Sequence, residues 1–295
     1  FSMANKLKLS VIIVNYNTKT LLRQCLKSVI SHQSSVISYE LIVVDNGSTD
    51  SSVAMVEKEF PSVKLIKNKE NLGFAKANNQ AIRFAQGRNI LLLNSDTVVY
   101  KGALDSMVEF LDNHPEVGVV GPKLLNEDKT AQPSAGRFPS LPVVIVMLFK
   151  EHFGGSRFVR ASYDKIREVD WVMGAAMMVK KEILKKTGLL DENIFMYMEE
   201  VEWCYRIKKA GFKVYFYPQA KITHLGGASS RTGRQEPILN IYKGLVFFYE
   251  KHKSGWEEFI LRILLKIKAF LAYVLGLITN NQYLKETYAQ AYHLA

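Results

Sequence analysis

The stretch Leu9-Ser10-Val11-Ile12-Ile13-Val14-Asn15-Tyr16-Asn17 decides the fold. Residues 9–14 form a short apolar run rich in β-branched side chains, and the run stops at a turn-prone triplet. The unit then recurs. Residues 21–30 read as a helix. Residues 41–44 read as a second buried strand ending in Asp45-Asn46-Gly47-Ser48, and Thr49 or Asp50 is placed to cap a helix through residue 60. A third strand over 63–66 precedes Asn71-Leu72-Gly73-Phe74 and a helix through residue 85. A fourth, over 89–93, ends in Asn94-Ser95-Asp96. This alternation predicts an α/β fold, a mostly parallel sheet with helices on both faces.

The order of elements also places chemistry. Ligands of open α/β sheets bind beyond the carboxyl ends of the strands. Tyr16, Asp45 and Asp96 each sit just past such an end and are expected at one rim. Asp96 suits a hard cation such as Mg²⁺ or Mn²⁺, which takes oxygen ligands and bridges protein to phosphate. An aspartate after a strand also serves as a cap or turn residue. Asp45 could accept the imide N–H of uracil or thymine, with Tyr16 stacked on the ring. The plain alternatives are a tight turn and a rim aromatic. Glu199, Glu200 and Glu202 crowd a helix start. Acids complement the dipole there, and Glu202 can pair with Arg206. Successive helical residues point about 100° apart, so Glu199 and Glu200 cannot face one site equally. One of them could take a proton from a hydroxyl. His224, between a strand and Gly226-Gly227, could ligate a metal, hold a diphosphate or be structural.

The chain has 295 residues, 48% hydrophobic and 23% charged, enough for a large core without disulfides. Cys25 and Cys204 are expected as reduced, buried thiols, and their separation argues against zinc. The net charge of +11 fits phosphorylated ligands, a membrane surface or nucleic acid. A non-enzymatic basic domain would explain the charge but not the acidic and aromatic groups gathered at one rim, so no nucleic-acid partner is expected. No Gly-rich phosphate loop follows the first strand and no serine elbow is present, which argues against an NTPase, a dinucleotide dehydrogenase and an elbow-type hydrolase. A nucleotidylyltransferase would want a Gly-rich basic loop where Asn15-Tyr16-Asn17 stands. Lys6 and Lys8 precede an apolar run with no small-residue cleavage site, so no secretory signal and a cytoplasmic location are expected. Phe1 and Ser2 ahead of Met3 read as added residues.

Over 132–167 the pattern weakens around Pro133, Pro139, Pro142 and Gly154-Gly155, with one apolar stretch at 143–149; a mobile or acceptor-facing segment is expected. Then come an apolar run at 170–179, a helix from 181, a loop at Gly188, an acidic helix over 198–210 and a strand over 213–216. After Pro237 the chain reads as helix to its end. Residues 260–279 are long enough to span a bilayer, but Arg262, Lys266 and Lys268 interrupt them. On a helical wheel Ile260, Ile263, Leu264, Ile267, Phe270, Leu271, Val274, Leu275 and Ile278 share one face, with the cations, Tyr273 and Gly276 opposite. Two readings stand: a helix lying in the membrane interface against anionic headgroups, or one packed on the catalytic domain or on a second subunit, as in a homodimer.

Val11-Ile12-Ile13-Val14-Asn15-Tyr16-Asn17, Val43-Val44-Asp45-Asn46-Gly47-Ser48-Thr49-Asp50, Asn71-Leu72-Gly73-Phe74-Ala75 and Leu92-Leu93-Asn94-Ser95-Asp96 follow in order. With Trp171-Val172-Met173-Gly174-Ala175-Ala176 and Met198-Glu199-Glu200-Val201-Glu202-Trp203-Cys204, the set resembles glycosyltransferase family 2, its rhamnosyltransferase-like branch in particular. The resemblance implies a GT-A fold over 8–236, with a nucleotide-sugar half at 8–121, an acceptor half at 122–236 and a helical segment at 237–295. It implies an inverting transfer from a dTDP- or UDP-linked sugar to a hydroxyl of a cell-surface polysaccharide or a lipid-linked glycan, with Mg²⁺ or Mn²⁺, beside the inner face of the plasma membrane. It assigns Tyr16, Asp45, Gly73, Asn78 and Asn94 to the donor, Asp96 and His224 to the metal, and Glu200 to the base. Asn94 replaces the first Asp of the family's Asp-x-Asp motif, Glu200 replaces an Asp, and Asn78 stands where some relatives carry an arginine.

Overall fold

A computed structural model describes residues 7–31, 37–149, 158–226 and 235–295. Phe1, Ser2, Lys6, the Gly154-Gly155 loop and Gly227 lie outside them. The first half runs β1 (Leu9–Asn15), α1 (Lys19–Ser31), β2 (Tyr39–Asn46), α2 (Ser52–Glu59), β3 (Lys64–Asn68), α3 (Phe74–Phe84), β4 (Asn89–Asn94), β5 (Thr97–Val99) and α4 (Ala103–Asn113). The second half runs β6 (Val117–Leu125), β7 (Ala135–Gly136), α5 (Leu141–Phe149), β8 (Arg160–Ala161), β9 (Arg167–Val169), β10 (Trp171–Val172), β11 (Ala176–Lys180), α6 (Leu184–Thr187), α7 (Glu199–Lys209) and β12 (Lys213–His224). Three helices close the chain: α8 (Gln235–His252), α9 (Gly255–Ile278) and α10 (Gln282–Leu294).

The main sheet has the order β3-β2-β1-β4-β11-β6-β12-β5, with β9 pairing on β12. The four strands read from the first half pair in parallel, as expected. Their buried faces pack under α1, α2 and α4 on one side and under α3 and α7 on the other. Two features differ from the sequence expectation. The apolar run at 170–179 is broken by a turn into β10 and β11, and β11 enters the sheet antiparallel to both β4 and β6. The last strand does not stop at Phe216 but continues to His224. Pro218 sits where its register shifts, between Tyr217 and Lys221, and a bulge is one place a sheet tolerates proline. That extension decides the site, because the far end of β12 pairs antiparallel with β5 and sets His224 opposite Thr97, one residue past Asp96.

The C-terminal helices have their own core, built from Leu245, Phe248, Tyr249, Leu261, Leu265, Ala269 and Ala291, with Val144 and Leu148 of α5. Here the face read from the wheel is left exposed, and the helix packs through another. Leu261, Leu265, Ala269, Ala272 and Gly276 form the buried face of α9. Ile263, Ile267, Phe270, Leu271, Leu275 and Ile278 are exposed, joined by Trp256, Phe259 and Leu277. The helix is apolar on two sides, and small residues let one of them approach its neighbours closely. It packs on the protein through a face other than the one read from its large side chains. Among the described residues no helix is long and apolar enough to cross a membrane.

Candidate active site

The parallel register brings the strand ends together before any side chain is considered: Asn15 lies opposite Asp45, and Val14 opposite Asn94. Side chains then lock the rim. Asn15 donates from Nδ2 to Asp45 Oδ2 at 2.9 Å and to Ser48 Oγ at 3.0 Å. The Ser48 amide donates to Asp45 Oδ1 at 2.9 Å. Thr18 donates to Asn15 Oδ1 at 2.6 Å, and its hydroxyl also meets Ser95 Oγ at 2.8 Å. The loops after β1, β2 and β4 are thus one hydrogen-bonded unit. Asp45 is held by two donors yet retains lone pairs. Tyr16, the residue after β1, is half-buried.

Asn46, which the sequence reading passed over, ties the next motif to this rim. Its Oδ1 accepts from the Leu72 amide at 3.1 Å, and its Nδ2 donates to Asn71 Oδ1 at 2.8 Å. Gly73 follows with φ +84°, and a Cβ there would stand 2.6 Å from the Phe195 carbonyl oxygen. The Phe74 amide donates to that same oxygen at 2.7 Å. The donor-side motif therefore grips the loop leading to the acidic helix. Asn78 is buried and donates back to Phe74 O at 2.9 Å, a bond within its own helix.

Asp96 is buried, and its Oδ1 lies 3.4 Å from His224 Nε2. Asn94 Nδ2 is 3.4 Å from the same ring nitrogen. Two ligands of one cation, each about 2.0–2.2 Å from it, stand at about this separation. One carboxylate and one imidazole suit a divalent cation that takes its remaining ligands from phosphate and water. Among the described residues no three His, Cys, Asp or Glu side chains gather into a closed metal site.

Across from the rim stands the start of α7. Tyr197 and Met198 carry φ of +67° and +75°, a conformation that costs energy in non-glycine residues and that its surroundings must enforce. Gly244 of α8 makes room for this turn, since a Cβ there would meet Met198 Cβ at 2.8 Å. Glu199 and Glu200 each have a buried Oε2 with no hydrogen-bond partner. Burial, and then the charge of Glu200, pushes Glu199 well above the usual carboxylate range. Burial pushes Glu200 up as well. Glu200 packs at Gly174, where a Cβ would stand 3.6 Å from Glu200 Cβ and from the Phe74 ring. The Tyr197 hydroxyl is pushed up by burial first, then by Glu199, Glu200, Glu236 and Asp96, so it senses the rim and the acidic helix together.

Glu202 is different. It is fully buried, and Arg206 Nη2 (2.7 Å), Lys251 Nζ (2.8 Å) and His252 Nε2 (3.0 Å) all reach it. Burial raises its pKa, but Arg206, Lys251 and His252 outweigh burial and hold it below the ordinary value. The Arg206 pairing matches the i,i+4 spacing read from sequence. Cys25 and Cys204 are both free and buried, with thiols pushed up to about 12 by burial, as inert structural thiols should be.

The profile of glycosyl transferase family 2 matches residues 10–188, more than half of the chain. The N-acetylglucosaminyl-diphospho-decaprenol L-rhamnosyltransferase of Mycobacterium tuberculosis is 26% identical over 86% of this chain and 88% of its own length. The low-salt glycan biosynthesis hexosyltransferase Agl10 of Haloferax volcanii is 26% identical over 70% of this chain and 63% of its own. Among solved structures, GalNAc-T7 with UDP, GalNAc and Mn²⁺ superposes with a TM-score of 0.61 at 18% identity, covering 83% of this chain and 50% of that one. The mannosyltransferase PcManGT of Pyrobaculum calidifontis, with GDP-Man and Mn²⁺, gives 0.57 at 19% identity, covering 97% and 84%. The chain belongs to glycosyl transferase family 2 and has the GT-A fold, with a rhamnosyltransferase-like sequence.

Proposed function

We propose that the protein moves a sugar from a nucleotide-diphosphate donor onto a hydroxyl with inversion at the anomeric carbon. The observation that carries this reading is the pairing of a locked rim, holding Asp45 and Asp96, with the buried, unpartnered Oε2 of Glu200. Asp45 accepts the imide N–H of uracil or thymine while Tyr16 covers the ring face. Asn94 faces the ribose, and Gly73 and Asn78 keep the neighbouring loop and helix in place. Asp96 and His224 would hold Mg²⁺ or Mn²⁺. When bound, the cation neutralises charge on the leaving diphosphate. Glu200 takes the proton of the acceptor hydroxyl, whose oxygen attacks the face opposite the diphosphate. Glu200 is preferred over Glu199 because it is the less buried and lies against the Gly174 and Phe74 side of the cleft.

The similarity, over most of both chains, to an N-acetylglucosaminyl-diphospho-decaprenol L-rhamnosyltransferase supports rhamnose as the sugar and a lipid-linked glycan as acceptor; dTDP is the proposed carrier, one of the pyrimidine nucleotides that Asp45 would accept. The exposed apolar side of α9 supports peripheral contact with the membrane that holds such an acceptor, with Lys266 and Lys268 beside that surface to meet anionic headgroups. Calorimetric titration of UDP and dTDP with and without Mn²⁺ tests the donor reading. Metal-dependent binding of pyrimidine nucleotides is expected, and a preference for GDP or ADP would overturn the role of Asp45. Flotation with anionic vesicles tests the membrane contact. Truncating α9 would remove its buried face from the helical core, so Ile267→Glu and Phe270→Glu are the cleaner variants. Salt-sensitive flotation should be lost in both; a wild-type protein that stays unbound at low salt, or that runs as a dimer dissociated by these substitutions, assigns the face to protein contact.

A further inference from the structure

The turn that joins β6 to β7 carries a chain of hydrogen bonds whose direction can be read from one end to the other. Asp128 can only accept, and the Thr130 hydroxyl donates to its Oδ1 at 2.5 Å. Thr130 Oγ1 is thereby left to accept, and Asn126 Nδ2 donates to it at 2.9 Å. Asn126 Oδ1 then faces Gln132, whose Nε2 donates to it at 3.0 Å and to the His224 carbonyl at 3.4 Å. Both remaining amide roles are now fixed. Gln132 Oε1 points at His224 Nδ1, 2.8 Å away, and an amide oxygen can only accept. The proton of a neutral His224 ring must therefore sit on Nδ1. The Nε2 lone pair is left facing Asp96 Oδ1 and Asn94 Nδ2, each 3.4 Å away. The backbone holds the turn in the same register, with the Gln132 amide donating to Leu124 O at 2.9 Å and the Asn126 amide to Thr130 O at 2.9 Å.

We propose that Gln132, oriented by Asn126, is a positioning residue that fixes the His224 tautomer so that its Nε2 is ready to bind a divalent cation beside Asp96. The inference rests on the reading of Asp96 and His224 as the metal pair. A partner on the second ring nitrogen fixes both tautomer and ring orientation of a histidine ligand, and its removal commonly costs about 10–100-fold in metal affinity. Gln132 itself carries no chemical reading in the sequence, because a lone glutamine between loop residues has no motif.

The test uses the full chain without added metal and then with Mn²⁺. Long-range ¹⁵N–¹H NMR, with His224→Ala to assign the signal, reads the His224 tautomer in the metal-free protein. Wild type should carry the proton on Nδ1. Gln132→Leu should move it to Nε2 or to a mixture, and weaken Mn²⁺ binding by about 10-fold or more at an unchanged melting temperature. Gln132→Glu keeps an acceptor at Nδ1, though it loses the donor to Asn126, and should keep the proton on Nδ1. A wild-type ring protonated on Nε2, or a Gln132→Leu protein with unaltered tautomer and Mn²⁺ affinity, overturns the proposal. A wild-type protein that shows the Nδ1–H tautomer yet binds no Mn²⁺, with or without nucleotide, overturns instead the metal reading on which it rests.

Discussion

The rim and the acidic helix start, whose charges both reach the Tyr197 hydroxyl, are built in opposite ways. At the rim, Asn15, Thr18, Asp45 and Ser48 engage one another across loops that are thirty or more residues apart in sequence. A network so satisfied is rigid before ligand arrives, which is what binding a nucleotide without reorganisation requires. At the start of α7 two successive residues hold positive φ, and two adjacent glutamates keep buried oxygens without partners. Such an arrangement costs stability locally and must be held by its surroundings, where Gly244 leaves space for Met198 and Lys251 ties α8 to Glu202 of α7. On the proposed reading the difference is a division of labour: the satisfied side binds the nucleotide, and the side with unpartnered carboxylate oxygens takes the proton.

The largest expected effect breaks the acidic side alone. Glu200→Gln should lower transfer about 10²-fold or more while the melting temperature is unchanged or rises, because a neutral amide relieves the pair. Glu199→Gln should cost less; a reversal of the two sizes, read from initial rates, would move the base to Glu199. Next comes the brace. Glu202→Gln leaves Arg206 and Lys251 facing an uncharged partner in a buried place, which should destabilise by about 3 kcal/mol or more in denaturant titration. Because the Glu202 pKa is lowered on folding, its contribution is fully present above the ordinary value of 4.5 and is lost as pH falls below it. Acid unfolding of wild type should thus begin in that range, and the Gln variant should lack that step.

Smaller effects sharpen the comparison. Gly244→Ala pushes a methyl at Met198 and should shift the base loop, reducing kcat severalfold with donor affinity intact. A fall in donor affinity without loss of kcat would show that α8 braces the rim instead. The pH profile gives the finest distinction. Glu200 must be ionised to accept a proton, and burial raises its pKa, so kcat should climb with pH through a midpoint above 4.5. A flat profile down to pH 4.5 would remove Glu200 from that role.

How much of this the sequence carried follows from the range of the interactions. The rim was legible because short buried strands and the residues after them are local signals, and parallel order alone brings the ends of β1, β2 and β4 together. Asn46, Gln132 and Gly244 were not legible. Each acts through a contact set by packing of distant segments, and an asparagine, a glutamine or a glycine in isolation predicts no such partner. The reach of β12 to His224 was hidden by Pro218, which reads as a strand end and is in fact a bulge. The apolar periodicity of α9 showed its large face but not its packing side, for a related reason: the side built from Leu261, Leu265, Ala269, Ala272 and Gly276 packs by closeness rather than by bulk.

The division between the two sides is tested most directly by calorimetry of dTDP in the presence of Mn²⁺ on Asp96→Ala and Glu200→Gln side by side. The account predicts that the Mn²⁺-dependent part of the affinity disappears in Asp96→Ala and is unchanged in Glu200→Gln. Retention of that affinity in Asp96→Ala, or its loss in a folded Glu200→Gln protein, would contradict it.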